Sequence, residues 1–330
     1  MGSKKISGMF LLCILLVGLE ACKPSDKGCT DPNANNMDAE AIENDGSCTY
    51  DDVWINPARS MPLGEELVES SGLIFWNGKL WSHNDNTDTR LYALDTATGT
   101  LVEEILLEGV ENINWEEIDQ DDDYIYVGDF GNNASGNRDD LRILRIQKNS
   151  LISGSPSIDT IWFSYSNQQD LNPVNFNSTE FDCEAFVVSS ERIYLFTKQW
   201  TTGYTTAYSL SKEPGSHVAQ KLNSLNVNGL ISGAVYLEAE QLLVLSGYTG
   251  ILQAFLYVFY DFPAEDFFAG NKRQINLSLP FLQVEGITTV DGLSYYLSNE
   301  SYVKAPVNTP QQLHLVNLHS YLKDFLDGGS

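Results

Sequence analysis

The sequence predicts an all-β propeller, and three observations carry that prediction. A unit of two short apolar strands recurs five times, the copies are spaced as propeller blades are, and each unit has polar ends rich in carboxylates and amides. The clearest copy runs from Asn112 to Arg138, NINWEEIDQDDDYIYVGDFGNNASGNR. Glu116 and Glu117 precede a short apolar strand, Asp121 to Asp123 make a turn, Tyr124 to Val127 form a second strand, and Asp129 to Asn133 form a polar tip. In an antiparallel hairpin the start of the first strand lies beside the end of the second. The two glutamates are therefore expected next to Asp129, Asn132 and Asn133.

The other copies follow in order. Glu69-Ser-Ser-Gly-Leu-Ile-Phe leads through Asn77-Gly78, a strong hairpin signal, into Leu80-Trp81-Ser82-His83-Asn84-Asp85. Cys183-Glu184-Ala-Phe-Val-Val leads into Ile193 to Lys198, Ser232-Gly-Ala-Val-Tyr into Leu242 to Tyr248, and Val284-Glu285-Gly-Ile-Thr into Leu293 to Glu300. With Gly72, Glu117, Ala185, Gly233 and Gly286 as equivalent positions, the intervals are 45, 68, 48 and 53 residues. Five blades are favoured. Six stay open, because the 68-residue interval contains a long polar insertion, 167–179. A ring must not leave a sheet edge exposed. After Glu300 there is room for one more strand, 312–316, so a strand from residues 53–68 is expected to complete the last blade.

Three regions are expected: an export signal at 1–21, a linker and small module at 22–50, and the propeller at 51–330. Lys4 and Lys5 precede an apolar run from Met9 to Leu19, too short to span a membrane. Leu19-Glu20-Ala21-Cys22 resembles a bacterial lipobox, which implies acylation of Cys22 and a membrane tether; Glu20 departs from the small or apolar residue usual there. Export permits disulfides. Cys29 and Cys48 bracket a short polar segment and are the natural pair, whereas Cys183 lies in a predicted strand and is expected as a buried thiol. The segment from Cys29-Thr-Asp-Pro to Asp-Gly-Ser-Cys48 resembles the cysteine-bracketed modules, similar to thrombospondin type 3 units, of secreted Bacteroidetes proteins. Asp31, Asn33 and Asn35 alternate as oxygen donors in the way calcium loops begin, or else simply make turns in a stapled spacer.

The chain carries 45 acidic against 19 basic side chains, a net charge of −26. That balance excludes nucleic acid and anionic lipid as general partners, since both require clustered Lys and Arg. A monomer is expected.

Propeller geometry brings the polar ends of all units to one funnel mouth. The expected constellation is His83, Asn84 and Asp85; Glu116, Glu117, Asp129, Asn132 and Asn133; Glu184 and Lys198; Ser232, Ser246 and Tyr248; and Glu285, Asn299 and Glu300, with Arg138 folding over the rim. The ordered set Trp-Glu-Glu-Ile, Gly-Asp-Phe-Gly-Asn-Asn, Glu-Ala, Thr-Lys, Ser-Gly-Ala, Ser-Gly-Tyr, Glu-Gly-Ile and Ser-Asn-Glu resembles that of exported bacterial propellers, distantly similar to phytase-like esterase and lactonase propellers. The resemblance implies a shared mouth site with calcium among its possible ligands. Crowded carboxylates raise one another's pKa values unless a cation sits among them, and calcium accepts six to eight such oxygens.

Two classes of function follow. One is binding of a small polar or anionic ligand at the mouth, extending to metal-assisted hydrolysis of an ester, lactone or phosphoester. There Glu116, Glu117, Glu184 and Glu285 would serve as metal ligands or base, and Lys198 and Arg138 would neutralise an oxyanion. The other is non-catalytic recognition of a protein or glycan by the rim. His83, His217, His314 and His319 show no paired zinc spacing, and neither a G-x-S-x-G elbow nor a phosphate-cradling glycine loop is present.

Overall fold

The computed structural model describes Gly2 and residues 26–328. The expected export signal, apart from Gly2, and the expected lipidation position Cys22 lie outside the described residues. Two short strands, β1 (Lys27–Gly28) and β2 (Glu43–Asn44), pair in parallel in the N-terminal module, where Cys29 and Cys48 form the disulfide. Next come β3 (Val53–Ile55) and β4 (Arg59–Pro62), which join units formed much later in the chain.

The first four-stranded unit is β5 (Ser70–Trp76), β6 (Lys79–Asn84), β7 (Arg90–Leu94) and β8 (Leu101–Leu106). Asn77 and Gly78 both take positive φ, the turn that Asn-Gly predicts. The second is β9 (Trp115–Gln120), β10 (Tyr124–Asp129), β11 (Arg142–Gln147) and β12 (Ile158–Tyr165), with the short helix α1 (Lys148–Ile152) before β12. The third is β13 (Cys183–Val188), β14 (Arg192–Thr197), β15 (Tyr204–Ser211) and β16 (Gly215–Asn226). Parallel pairing of β12 with β16 fuses the second and third units into one 8-stranded sheet.

The fourth unit is β17 (Leu230–Leu237), β18 (Leu242–Tyr248), β19 (Gln253–Tyr260) and β20 (Asn271–Pro280), to which β3 adds in parallel. The fifth begins with β21 (Val284–Thr289) and β22 (Ser294–Asn299) and passes through a small hairpin, β23 (Tyr302–Lys304) and β24 (Val307–Thr309). It continues with β25 (Gln312–Asn317), and β4 then completes the unit as its outer strand. The expected closure by an N-terminal strand is therefore present, and residues 166–182 carry no strand. A last helix, α2 (His319–Gly328), packs Leu322 into the core of the fourth and fifth units.

The first strands β5, β9, β13, β17 and β21 touch one another in a closed circle. This explains their composition. An inner strand is covered on both faces, so β13 is buried at every residue, whereas the outer β12 alternates buried with wetter positions. The equivalent position of each unit lies where neighbouring strands come closest. A Cβ on Gly286 would stand 2.8 Å from the carbonyl oxygen of Gly72, and one on Gly233 would stand 2.6 Å from that of Glu285.

Candidate functional site

Each inner strand carries a β-bulge near its start, and the bulges build the site. In the pairing of β9 with β10, Glu117 faces Gly128 and Trp115 faces Asp129, leaving Glu116 without a partner. The same step leaves out Glu184 in β13, Ser232 in β17 and Glu285 in β21, and a similar shift follows Ser71 in β5. A bulge re-aims the extra residue's side chain. Here it sets three glutamates from three units at one end of the ring.

Lys198, just beyond β14, stands among them. Its Nζ lies 3.0 Å from Glu184 Oε2, with both side chains buried, and over the rings of Trp200 and Tyr248 at 4.9 and 5.1 Å. Burial works against the Lys198 charge, but Glu184, Glu285 and Tyr248 outweigh it and hold the ammonium well above the usual lysine value. Around this cation the carboxyls crowd. Burial pushes Glu116 well above the carboxylate range, reinforced by Glu184, Asp85 and Asp182. Burial does the same to Glu285, where Lys198 opposes the shift and Glu184, Glu300 and Asp85 add to it. Asp85 and Glu300, nearer the opening, are each pushed up to about 7 by burial and by neighbouring carboxylates. Glu285 Oε2 is buried and has no hydrogen-bond partner among the described residues.

Asp182, absent from the sequence constellation, belongs to this group. It accepts hydrogen bonds from Trp200 Nε1 at 2.6 Å and from the Asn132 backbone N–H at 2.5 Å, and lies beside Glu184 and Lys198. Its position one residue before Cys183-Glu184 was the available signal.

Other expected mouth residues serve the architecture. Glu117, one residue from Glu116, points into the central channel. There it accepts hydrogen bonds from the backbone N–H groups of Ile118 at 3.0 Å and, across the ring, Ala234 at 2.9 Å, and the backbone of Leu73 also donates to it. Inner strands have free N–H edges facing the axis, and Glu117 satisfies them. Asp119, two residues on, repeats the device by accepting the Val188 N–H at 2.6 Å. Asp129 is fully buried between Arg138 and Arg142 and accepts the Asn114 N–H. Arg138 does not fold over the mouth, because its guanidinium bonds Asp129, Asp140 and the Gly131 carbonyl. Asn132 ties this loop to Phe181 and Asp182, and the Asn133 carbonyl accepts from the Asn177 N–H. The Asn299 amide donates to the Glu300 and Pro310 carbonyls and its oxygen meets His314 Nε2 at 2.9 Å, so it braces the fifth unit. Burial holds His83 at about 4, hence neutral, packed edge-on against Trp115.

No family profile matches the chain, and a search of curated proteins finds no match. Among solved structures it is similar to that of U3-55K, with a TM-score of 0.37 and 10% identity over 75% of this chain and 68% of the other. The RRP9 WD40 repeats give 0.36 and 10% over 75% and 67%, and the Myceliophteria thermophila Cps50 (Swd1) β-propeller domain gives 0.35 and 10% over 78% and 73%. The strand circle and register described above define the propeller independently of these distant similarities.

The calcium expectation meets two observations. Lys198 stands among the mouth carboxylates where a cation would be held, and among the described residues no group of three or more His, Cys, Asp or Glu is arranged to hold a metal. In the N-terminal module, Asp31 is buried and accepts from the Asn33 N–H, Tyr50 OH and Tyr260 OH, while Asn33 and Asn35 are exposed and Asn35 bonds Asp51. Asp31 is thus a turn former and a staple onto the fourth unit. Cys183 is buried, and burial pushes its thiol up, away from nucleophilic use.

Proposed function

We propose that this chain is an exported, membrane-tethered propeller that binds a small polar ligand carrying positive charge at its acidic mouth. The observation that carries the reading is the charge balance of the buried site. Glu116, Asp182, Glu184 and Glu285, with Asp85 and Glu300 at the opening, face the ammonium of Lys198, which is already paired with Glu184. A positively charged group entering there would relieve the repulsion that adds to burial in raising Glu116, Asp182 and Glu285. An anionic ligand would meet the opposite, since Arg138 is committed to Asp129 and Asp140. The donor set suits an ammonium or guanidinium, whose N–H groups take up free carboxylate oxygens, better than calcium.

The tether would be acylated Cys22, with the module of Bacteroidetes type as a fixed stalk. Asn44 bonds Asp261 and Asn271, and Lys272 bonds the Gly46 carbonyl. These contacts lie where β19 ends and β20 begins, the end of the ring opposite the mouth, so a membrane attached there leaves the mouth facing outward.

A second reading has one observation of its own. Carboxyls at about 7, Asp85 and Glu300, near a buried Lys198 are groups poised for proton transfer, which favours hydrolysis of an ester or lactone at the same mouth.

The test is thermal unfolding of the intact protein with added butylammonium or phosphate in excess chelator, and with millimolar calcium in the absence of chelator. A ligand at a hundred times its dissociation constant stabilises by ~2.7 kcal/mol, a midpoint rise of roughly 4–5 °C for a domain of this size. Butylammonium is expected to give that rise and phosphate none, and Glu285→Gln should remove it. A rise with phosphate alone would overturn the reading.

A further inference from the structure

The connections at the mouth end of the ring carry an apolar collar. Strand direction fixes which loops these are: β6, β10, β14, β18 and β22 all end at the mouth, so the segments after them, and those leading into each inner strand, open on the same face. On that face stand Ile113 before β9, Val174 and Phe176 before β13, Ile251 between β18 and β19, Phe281 before β21, and Val303 in β23. Ile251 is 79% exposed, Val303 72% and Phe176 68%. Six exposed apolar side chains thus open on the face that carries the buried carboxyls, and apolar surface gathered on one face marks an interaction site.

Inside the collar lies the acidic pit, where the buried Glu285 Oε2 has no partner among the described residues. The two features together describe a complementary surface: apolar side chains around one deep basic group. Resting on the reading of the mouth as a cation site, we propose that its ligand is a polypeptide segment that inserts a Lys or Arg side chain into the pit and lays flanking apolar side chains on the collar. Charge selects this occupant over a second copy of the chain, because two bodies of net charge −26 repel. A deep, desolvated basic anchor ringed by apolar contacts that exclude water is the arrangement that concentrates binding energy.

The experiment is selection of random heptapeptides displayed on phage against the intact protein, followed by calorimetric titration of the best synthetic peptide. The expected winners have Lys or Arg at one fixed position with apolar neighbours. Their affinity should fall at least tenfold for Glu285→Gln, and at least tenfold for the surface triple variant Phe176→Ser, Ile251→Ser, Phe281→Ser. Butylammonium is titrated into the wild type in parallel. If butylammonium binds but no peptide rises above background, the collar proposal fails while the cation site stands. If peptides bind irrespective of Glu285 and butylammonium does not bind, the cation site fails. Winners lacking Lys and Arg, or a concentration-dependent dimer in sedimentation that the triple variant dissolves, overturn the proposal as well.

Discussion

Glu116 and Glu117 are neighbours in sequence, both glutamates and both buried, yet they belong to opposite kinds of site. In the central channel, burial raises Glu117, and backbone N–H groups from three inner strands work against that shift. At the mouth, burial raises Glu116 and three further carboxyls push the same way, with Lys198 opposing and the Asn114 amide donating to one carboxyl oxygen. The channel carboxylate completes the fold, whereas the mouth carboxylates are left short of positive partners. Burial of a charge therefore identifies no site by itself. The informative quantity is whether the protein supplies what the charge requires.

Substitutions break this comparison in order of size. Lys198→Met removes the cation paired with Glu184 at the mouth and leaves that carboxylate buried without it, a change expected to cost roughly 3–5 kcal/mol. Chemical denaturation measures it, and a loss under 1 kcal/mol would mean that solvent already screens the pair. Glu117→Ala leaves several inward N–H groups unpaired across the ring, at roughly 3 kcal/mol. The ligand response of the mouth should survive that substitution, and its loss would join the two regions that we separate.

The third prediction concerns pH. Asp85 and Glu300 bind a proton more tightly folded, at about 7, than at their ordinary values of 3.8 and 4.5. Their contribution is fully present below those ordinary values and is lost as pH rises through about 7. The unfolding midpoint should therefore fall between pH 5 and pH 8, and Asp85→Asn should flatten that fall by roughly 2–4 °C. A midpoint that climbs over this range would contradict the assignment.

The repeat made the fold legible, because each hairpin announces itself by local pattern and the intervals reveal the ring. Most mouth residues were legible for the same reason. The separation of Glu116 from Glu117 was not, since a single bulge reverses which side chain faces the mouth, and bulges leave no clear mark in one sequence. Asp129, Arg138 and Asn132 were expected at the ligand, but the loop after β10 is long and must first satisfy its own backbone and charges. The collar was not legible either. Its members are scattered through five connections whose common face depends on strand direction.

The most direct test of the account is calorimetric titration of butylammonium at pH 7 in two buffers of different ionisation enthalpy. Protonated mouth carboxyls must ionise as a cation enters, so binding should release roughly one proton per cation, and Glu285→Gln should abolish binding. Binding without proton release would contradict the claim that the mouth carboxyls lack positive partners.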